Sequence, residues 1–325
     1  MVFVPPIKPL IEPRHWRSLP RTLERPPLGK INTANIASAD PAYAGITPEK
    51  IREDFVANGA KILGPSKRDP QASLTVNADS EILPDHCDLT ITESGVAMRP
   101  THVFALYPTF DSAIQDARCS PHQLRLTYPQ TRRVVLRPSH SALWAAYCSK
   151  LPTITYEPVK VLTSSTSGED PEGPCSRLRL PLVPLALPYT VGFDNLLLYM
   201  YSGCQKRFVS SMLLPIDTKV EIKPQLEAWE KFAGFLTLVP RTKKNEAYWE
   251  LHPEAADRLG ALMAERYAFE DLCRLARNVW GTHQDAVCLG IVDVRLWEAL
   301  EFAWTALLKA MEIADRVSGA VDGAK

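Results

Sequence analysis

Two groups of cysteine and histidine are the residues in this chain whose types and spacing could bind a metal. Cys119-Ser-Pro-His122 has the spacing of one zinc-ligand pair, and His86-Cys87 offers two further ligands of the right type. Structural zinc sites combine two closely spaced pairs at set distances. Because the sequence holds a single pair of that spacing, we expect no bound metal, and a Cys/His metalloprotein or enzyme is the weakest alternative.

Cys148 and His140 are the residue types of a cysteine hydrolase, which needs a thiol of lowered pKa within hydrogen-bond reach of an imidazole. They lie on one predicted helix, about 12 Å apart along its axis, so they cannot meet there. The sequence has no Gly-x-Ser-x-Gly, His-Glu-x-x-His, phosphate-binding loop or dinucleotide-binding glycine pattern. We therefore expect no catalytic residue and no cofactor. His140 follows Pro138-Ser139, where it would lock a strand-to-helix corner by hydrogen bonding to the backbone.

The composition is that of an ordinary globular protein: of 325 residues, 46% are hydrophobic and 23% charged, and the formal net charge is zero. A neutral chain lacks a large basic footprint, so we expect no direct nucleic-acid binding. No apolar run approaches the roughly 20 residues that span a bilayer, and the first residues lack the pattern of a secretory signal. Seven cysteines without regular spacing indicate free thiols in the cytosol or nucleus.

Changes in composition predict four segments, of which the first two precede the main core. Residues 1–45 are rich in proline and arginine and are predicted to form a disordered arm, either a solvated tail or a contact for nucleic acid or a nuclear importer. Residues 46–82 are predicted to hold a helix that begins at Thr47-Pro48-Glu49 and ends at Gly59, followed by a loop. A polar stretch at 163–175 is predicted to be a mobile surface loop within the third segment.

Residues 83–216, the third segment, mix strand and short-helix signals and are predicted to form an α+β core. Two strands are predicted on either side of Ser94-Gly95, joined there in a hairpin. Leucines alternate with polar residues over 178–182, which predicts a strand with one buried face. The prolines at positions 181 and 184 would confine that strand to a sheet edge or a bulge.

Residues 217–318, the fourth segment, shift to helical periodicity, so an all-helical C-terminal part is predicted to follow the core. One helix carries an apolar stripe formed by Leu296, Leu300, Trp304, Leu307 and Met311. Such a stripe is more often core than a partner-binding groove. We expect a turn at Gly290 and Asp293 to bring this helix back onto the helix at 254–280.

Two separated stretches each combine a strand with a short helix. In the first, a strand runs through a histidine into the helix, and in the second, a strand precedes a helix that ends at glycine. The residues that define them are His140, Trp144, Ala145, Ala146, Cys148 and Ser149, and then Phe193, Leu196, Leu197, Tyr199, Tyr201 and Gly203. Together they resemble the two halves of a BTB/POZ interaction domain. The resemblance implies a BTB/POZ-like mixed core that binds proteins and does no chemistry.

Three features characterise the order of the segments from about residue 45 to 315. They are the arm, the Leu-Pro-Leu-Val-Pro-Leu strand at 180–185, and the stretch from Val287 to Trp297 with the Trp-containing helix that follows. In this order and character the chain resembles the clampless-type developmental regulators of basidiomycete fungi. This resemblance implies a non-enzymatic regulator of sexual development, acting in clamp formation and in the dikaryon after mating-type signalling. Its implied location is the nucleus, the cytoplasm or both.

The same resemblance implies that the partners are other proteins, such as transcription factors of the mating pathway, with a homodimer through the BTB-like core as a further option and no membrane partner. The alternative is an adaptor that recruits substrates to a cullin-type ubiquitin ligase, which a pull-down would distinguish. The structural or interaction candidates are His140, Trp144, Phe193, Leu197, Tyr201, Trp297 and Trp304.

Overall fold

The chain divides into two compact units, each built from separate stretches of sequence. The computed structural model describes residues 13–66, 73–77, 83–92, 99–108, 131–165, 175–213 and 253–322. The sheet unit comprises residues 26–203 and 284–293, and the helical unit comprises residues 1–25, 204–283 and 294–325. The fold is α+β, with the sheet in the N-terminal half and helices in the C-terminal part, which confirms the predicted fold class.

The sheet unit carries strands and helices in alternation. In chain order its described elements are α1 (Thr33–Ala39), α2 (Pro48–Ser66), β1 (Ser73–Asn77), β2 (His86–Thr92), β3 (His102–Pro108), β4 (Thr131–Ser139), α3 (Ser141–Tyr147), β5 (Lys160–Ser165), β6 (Cys175–Leu187) and α4 (Phe193–Ser202). The strand order is β1-β4-β3-β6-β2, and β5 also pairs with β6. The β3–β6 pair is parallel and the other pairs are antiparallel.

The long strand β6 pairs on both sides over residues 175–179, so it is not an edge strand as a whole. Its two prolines, predicted to confine it to a sheet edge or a bulge, lie where only one side of the strand is paired. Its first half pairs with β2 and β5, and its second half, from Leu182 onward, pairs with β3. Pro181 lies between the stretch paired with β5 and the stretch paired with β3. Pro184 faces the same side as Leu182, whose N–H donates to the Asp85 carbonyl just before β2 begins. The Pro184 nitrogen therefore faces the side beyond the end of β2 and away from β3, and the Pro181 nitrogen faces the gap between β5 and β3. Neither proline removes a hydrogen bond from a ladder.

The predicted hairpin between β2 and β3 is also wrong. Both strands pair with β6, β2 in antiparallel and β3 in parallel orientation, and they share no ladder. The residues at the expected turn, 93–98, lie outside the described residues. The alternation predicted for β6 is confirmed, because Leu178 and Leu180 are buried in the sheet core whereas Arg177 and Arg179 are exposed.

Helix α2 begins where the sequence predicted and ends later. Pro48 is its first residue, and the Thr47 hydroxyl accepts the Lys50 N–H at 3.3 Å, as an N-terminal cap does. Gly59 does not end the helix, which continues to Ser66. The glycine instead allows α4 to approach, because a Cβ at this position would lie 1.7 Å from the Tyr201 carbonyl oxygen.

Residues 13–45 of the predicted disordered arm contain three short helices, whereas residues 1–12 of it lie outside the described residues. A 3₁₀ helix spans Pro13–Ser18, α1 is capped by the Asn32 side chain, and a second 3₁₀ helix spans Pro41–Tyr43. Contacts with distant residues fix this stretch: Ser38 donates to the Ile154 carbonyl, and its own carbonyl accepts the Tyr156 N–H. Such contacts leave no periodic pattern in the local sequence.

The helical unit contains α5 (Gln205–Leu213), α6 (Pro253–Arg266), α7 (Phe269–Leu289) and α8 (Val294–Asp322), and the division between the units falls within α7. The described C-terminal residues, 253–322, include no named strand. α8 packs on α6 and α5, and the five residues of its predicted stripe are completely buried, which confirms that this face is core. The turn before α8 contains Gly290 at φ +65°, a conformation that favours glycine.

Two predicted boundaries fall on residues that the structure does not describe. The boundary near residue 217 lies within 214–252, and the centre of the predicted mobile loop lies within 166–174. The two ends of that loop, at 163–165 and at 175, are paired residues of β5 and β6. The other predicted limits of the four segments stay predictions.

Candidate interaction site

His140 lies at the corner where β4 passes into α3. Its backbone N–H donates to the Tyr201 hydroxyl oxygen at 3.1 Å, and its Nδ1 is 2.8 Å from the same oxygen. Because this oxygen accepts the backbone N–H, the hydroxyl proton is available to Nδ1. The rings of Phe55, His140 and Tyr201 pack together with centroids 5.1 to 6.1 Å apart. A tyrosine side chain, rather than the backbone contact that we expected, therefore holds this corner.

Trp144 and Phe193 form a second contact in the sheet unit. Their rings are stacked, with centroids 4.4 Å apart and planes 5° apart, and Phe104 meets both rings edge-on. Leu197 lies one turn after Phe193 on α4 and is also buried. Five of the seven candidate residues are thus buried in the sheet unit, where they join α3 and α4 to the sheet.

The other two candidates, Trp297 and Trp304, belong to an aromatic cluster in the helical unit. Trp280 lies 5.8 Å from Trp304 and 5.8 Å from His283, measured between ring centroids, and His283 lies 5.6 Å from Trp297. The sequence reasoning missed Trp280 and His283. Their spacing of three residues places them on one face of α7, which is the signal that would have found them.

An N-terminal strap, residues 13–25, lies against this cluster. It has no regular structure after its 3₁₀ helix. Three side chains of α7 and α8 hydrogen-bond to its backbone: Trp304 Nε1 donates to the Pro20 carbonyl at 2.9 Å, His283 Nε2 donates to the Glu24 carbonyl at 3.0 Å, and Glu301 Oε2 accepts the Leu23 N–H at 2.7 Å.

Two strap side chains are anchored on the helices. Trp16 is 5% exposed and packs edge-on against Phe269 with ring centroids 6.1 Å apart, and Leu23 is 8% exposed. Arg17, beside the first anchor, forms a salt bridge with Asp315. Arg17 is largely exposed, so this ion pair adds little stability and serves mainly as a charge match.

Burial is the main cause of the pKa shifts of two histidines and two thiols. It lowers the pKa of His102 and of His283, against a smaller upward effect of the carbonyl to which each ring is hydrogen-bonded. It raises the pKa of Cys148, and it raises the pKa of Cys273 to about 11. Both thiols therefore stay protonated at neutral pH, the opposite of a nucleophilic cysteine.

Asp285 is a buried carboxylic acid in the sheet unit. One of its oxygens accepts the Tyr189 N–H at 2.8 Å, and the other has no hydrogen-bond partner among the described residues. Burial raises its pKa well above the usual value, and the Tyr189 hydrogen bond opposes this shift only in part. The charged form is therefore costly to keep in the folded state.

Within the described ranges, no group of three or more His, Cys, Asp or Glu residues is arranged to hold a metal ion. The Cys119 and His122 pair lies outside those ranges, so the expected lack of metal stays a prediction. His86 is described, and its Nε2 lies 2.8 Å from the Glu157 carboxylate. None of the helices that the structure describes is long and apolar enough to cross a membrane.

Comparison with known families assigns both halves of the chain. The Clampless protein 1 N-terminal domain matches residues 26–188, which is half of the chain, and the Clampless protein 1 C-terminal domain matches residues 213–323. No curated protein and no solved structure matches, so the likeness of the core to a BTB/POZ domain stays a prediction. Among the described elements, the two matches cover the six strands and three of the four helices of the helical unit. The chain belongs to the Clampless protein 1 family.

Proposed function

We propose that this protein is a non-enzymatic regulator of fungal clamp development that acts by binding other proteins. The observation that carries the proposal is the match of both halves of the chain to the two Clampless protein 1 domains. The family assignment supports a role in clamp development, and the mode of action is argued from the residues.

The residues that could do chemistry are suited to hold the fold. The His140 ring is buried against the Tyr201 hydroxyl at the β4–α3 corner, and burial keeps the thiols of Cys148 and Cys273 protonated at neutral pH. A general base or nucleophile needs the opposite environment, with access to substrate and a pKa near the working pH. These groups therefore support a binding role for the protein.

The finer parts of the proposal rest on the family resemblance. We propose that the protein acts in sexual development downstream of mating-type signalling, in the nucleus, the cytoplasm or both. Its partners would be other proteins, such as transcription factors of that pathway. The protein could bind these partners as a homodimer that forms through the BTB-like core.

Gene disruption in the native host tests the developmental role. We expect the disrupted strain to lose clamp cells and the full-length chain to restore them. Clamp cells that form normally after disruption would contradict the role. Proximity labelling in the complemented strain then identifies the proteins that the regulator contacts.

A variant with Cys119→Ala and His122→Ala tests the non-enzymatic part. Because the proposal assigns no metal or nucleophile to this pair, we expect the variant to restore clamp cells as well as the unchanged chain does. Failure of a variant that accumulates to normal levels would show that the pair itself is required, which contradicts the proposal. Elemental analysis of the purified protein provides a second test, in which about one zinc per chain would contradict the proposal.

A further inference from the structure

The strap binds the helical unit as an extended peptide binds a receptor. Beyond Ser18 it forms no helix or strand, and its contacts include two buried anchor side chains and three hydrogen bonds to its backbone. Anchors in an apolar surface combined with backbone hydrogen bonds are the general pattern of peptide recognition. The receptor surface, which we name the strap site, consists of Phe269, His283, Glu301, Trp304 and Asp315.

The hydrogen bonds of the strap site do not depend on which side chains the bound segment carries. Trp304 and His283 donate to carbonyl groups and Glu301 accepts an N–H, and nearly every peptide offers both groups. Specificity must therefore come from the two anchors and from the charge beside the first. In the strap these are Trp16, Leu23 seven residues later, and Arg17 opposite Asp315.

The strap site and the strap differ in their relation to the family. All five residues of the site lie within residues 213–323, which match the Clampless protein 1 C-terminal domain. The strap lies outside that range and outside residues 26–188, which match the N-terminal domain. The family pattern thus includes the receptor surface and leaves out the segment that fills it.

We propose that the strap site is a peptide-binding site and that the strap is its intramolecular occupant. The partner it fits is an extended segment of another protein with an aromatic anchor, a cation beside it, and a leucine-sized anchor seven residues later. This partner displaces the strap when it binds. The inference deepens the proposed function, and it rests on that function only for the claim that the partner acts in clamp development.

Competition with the strap sets the size of the effect to be measured. A tethered segment is present at an effective concentration on the order of millimolar. If the strap binds its site with an intrinsic Kd of about 10 µM, it weakens the apparent affinity of a free peptide by about 100-fold. Weakening the strap in the full-length chain should therefore tighten the binding of an added peptide.

Fluorescence anisotropy with a labelled peptide of the sequence of residues 13–26 measures this directly. We expect the peptide to bind full-length Trp16→Ala/Leu23→Ala at least tenfold more tightly than it binds the unchanged chain. A peptide carrying the same two alanines should bind neither protein. Full-length Arg21→Ala/Thr22→Ala is the matched control, because both of these strap residues are exposed and the variant should behave like the unchanged chain.

Three outcomes overturn the inference: no binding to either protein, equal binding to both, or a double variant that unfolds and is not restored by the peptide in a thermal melt. The last outcome would make the strap a part of the core. A variant that is unstable alone and regains its melting temperature with the peptide supports the inference. Clamp formation is scored in a separate experiment. Loss of clamp cells on gene disruption, together with no peptide binding, would contradict the strap site alone. Peptide binding without a developmental defect would contradict the proposed function alone.

Discussion

Replacing Gly59 with alanine is a sharp test of the packing of α2 on α4, because two physical effects predict opposite signs. In a helix interior alanine is favoured over glycine by about 1 kcal/mol, so helix propensity alone predicts a more stable protein. In the folded chain, a Cβ at position 59 would lie 1.7 Å from the Tyr201 carbonyl oxygen and 2.7 Å from its carbonyl carbon. These are backbone atoms, so no rotation of a side chain relieves the clash.

The size of the loss follows from the displacement that is needed. Normal van der Waals contact requires the helices to separate by roughly 1.5 Å, and overpacking of a core costs about 1–3 kcal/mol or more. The same movement displaces Tyr201, whose hydroxyl holds the His140 corner, at a further cost of about 1 kcal/mol. The propensity gain offsets the Tyr201 cost, so the overpacking cost of about 1–3 kcal/mol or more remains. Because the clash is with backbone atoms, we expect a loss of about 3 kcal/mol, or roughly 6–12 °C in Tm.

Thermal and urea unfolding followed by circular dichroism measure this change, with Gly45→Ala as the matched control. Gly45 has φ +78° and no atom within 4 Å of its virtual Cβ, so its replacement adds only local backbone strain, about 1 kcal/mol. We therefore expect Gly59→Ala to lose clearly more stability than the control. A Tm for Gly59→Ala equal to or above that of the unchanged protein would refute the contact between α2 and α4.

Three further predictions concern burial and charge. Trp304→Ala removes a completely buried side chain and should cost about 3–5 kcal/mol in urea unfolding, and an unchanged midpoint would show that the α8 stripe is not core. Asp285→Asn should stabilise the protein at neutral pH. The folded-state pKa of Asp285 is raised, so the buried carboxylate lowers the stability of the folded state at pH values above that pKa. The stability gained by asparagine should therefore shrink as the pH falls through the folded-state pKa. An equal gain at neutral pH and near pH 4 would exclude the buried charge as the cause. Deleting residues 168–174, which lie outside the described residues, should leave the Tm within a few degrees, because loop length costs only about 0.6 kcal/mol per doubling, and a larger loss would indicate a packed loop.

Local signals in the sequence predicted the elements whose causes are local. Thr47 and Pro48 predicted the start of α2 because a cap acts on the first turn alone. The stripe of α8 predicted its buried face because helical periodicity repeats within one element. In both cases the residues that decide the outcome are within a few turns of one another.

Pairing and termination depended on residues far along the chain and were predicted wrongly. Alternation in β2 indicates which face is buried, but it does not indicate that Thr90 pairs with Arg177 on β6 rather than with a residue of β3. Glycine ends some helices and permits close approach in others, and only the position of Tyr201 decides which applies at Gly59. The local pattern was the same for either outcome.

Only part of the candidate site was predicted, because some of its contacts join residues that are far apart in the sequence. Trp297 and Trp304 stood out because aromatic residues on a helical stripe need burial. The strap did not stand out, because the groups that order it, such as Glu301 for Leu23, lie 278 residues away. A proline- and arginine-containing stretch without a period reads as disordered unless that distant surface is known.

The origin of the helical unit from both ends of the chain has a consequence for protein synthesis. At about 5–20 residues per second, the ribosome needs roughly 15–60 s to pass from Leu23 to Glu301. During this interval most of the sheet unit is available to fold, whereas Trp16 and Leu23 lack the helices that bury them. We therefore expect nascent chains to expose these two apolar anchors to chaperones. A product that terminates before α7 would expose them permanently, which favours its degradation.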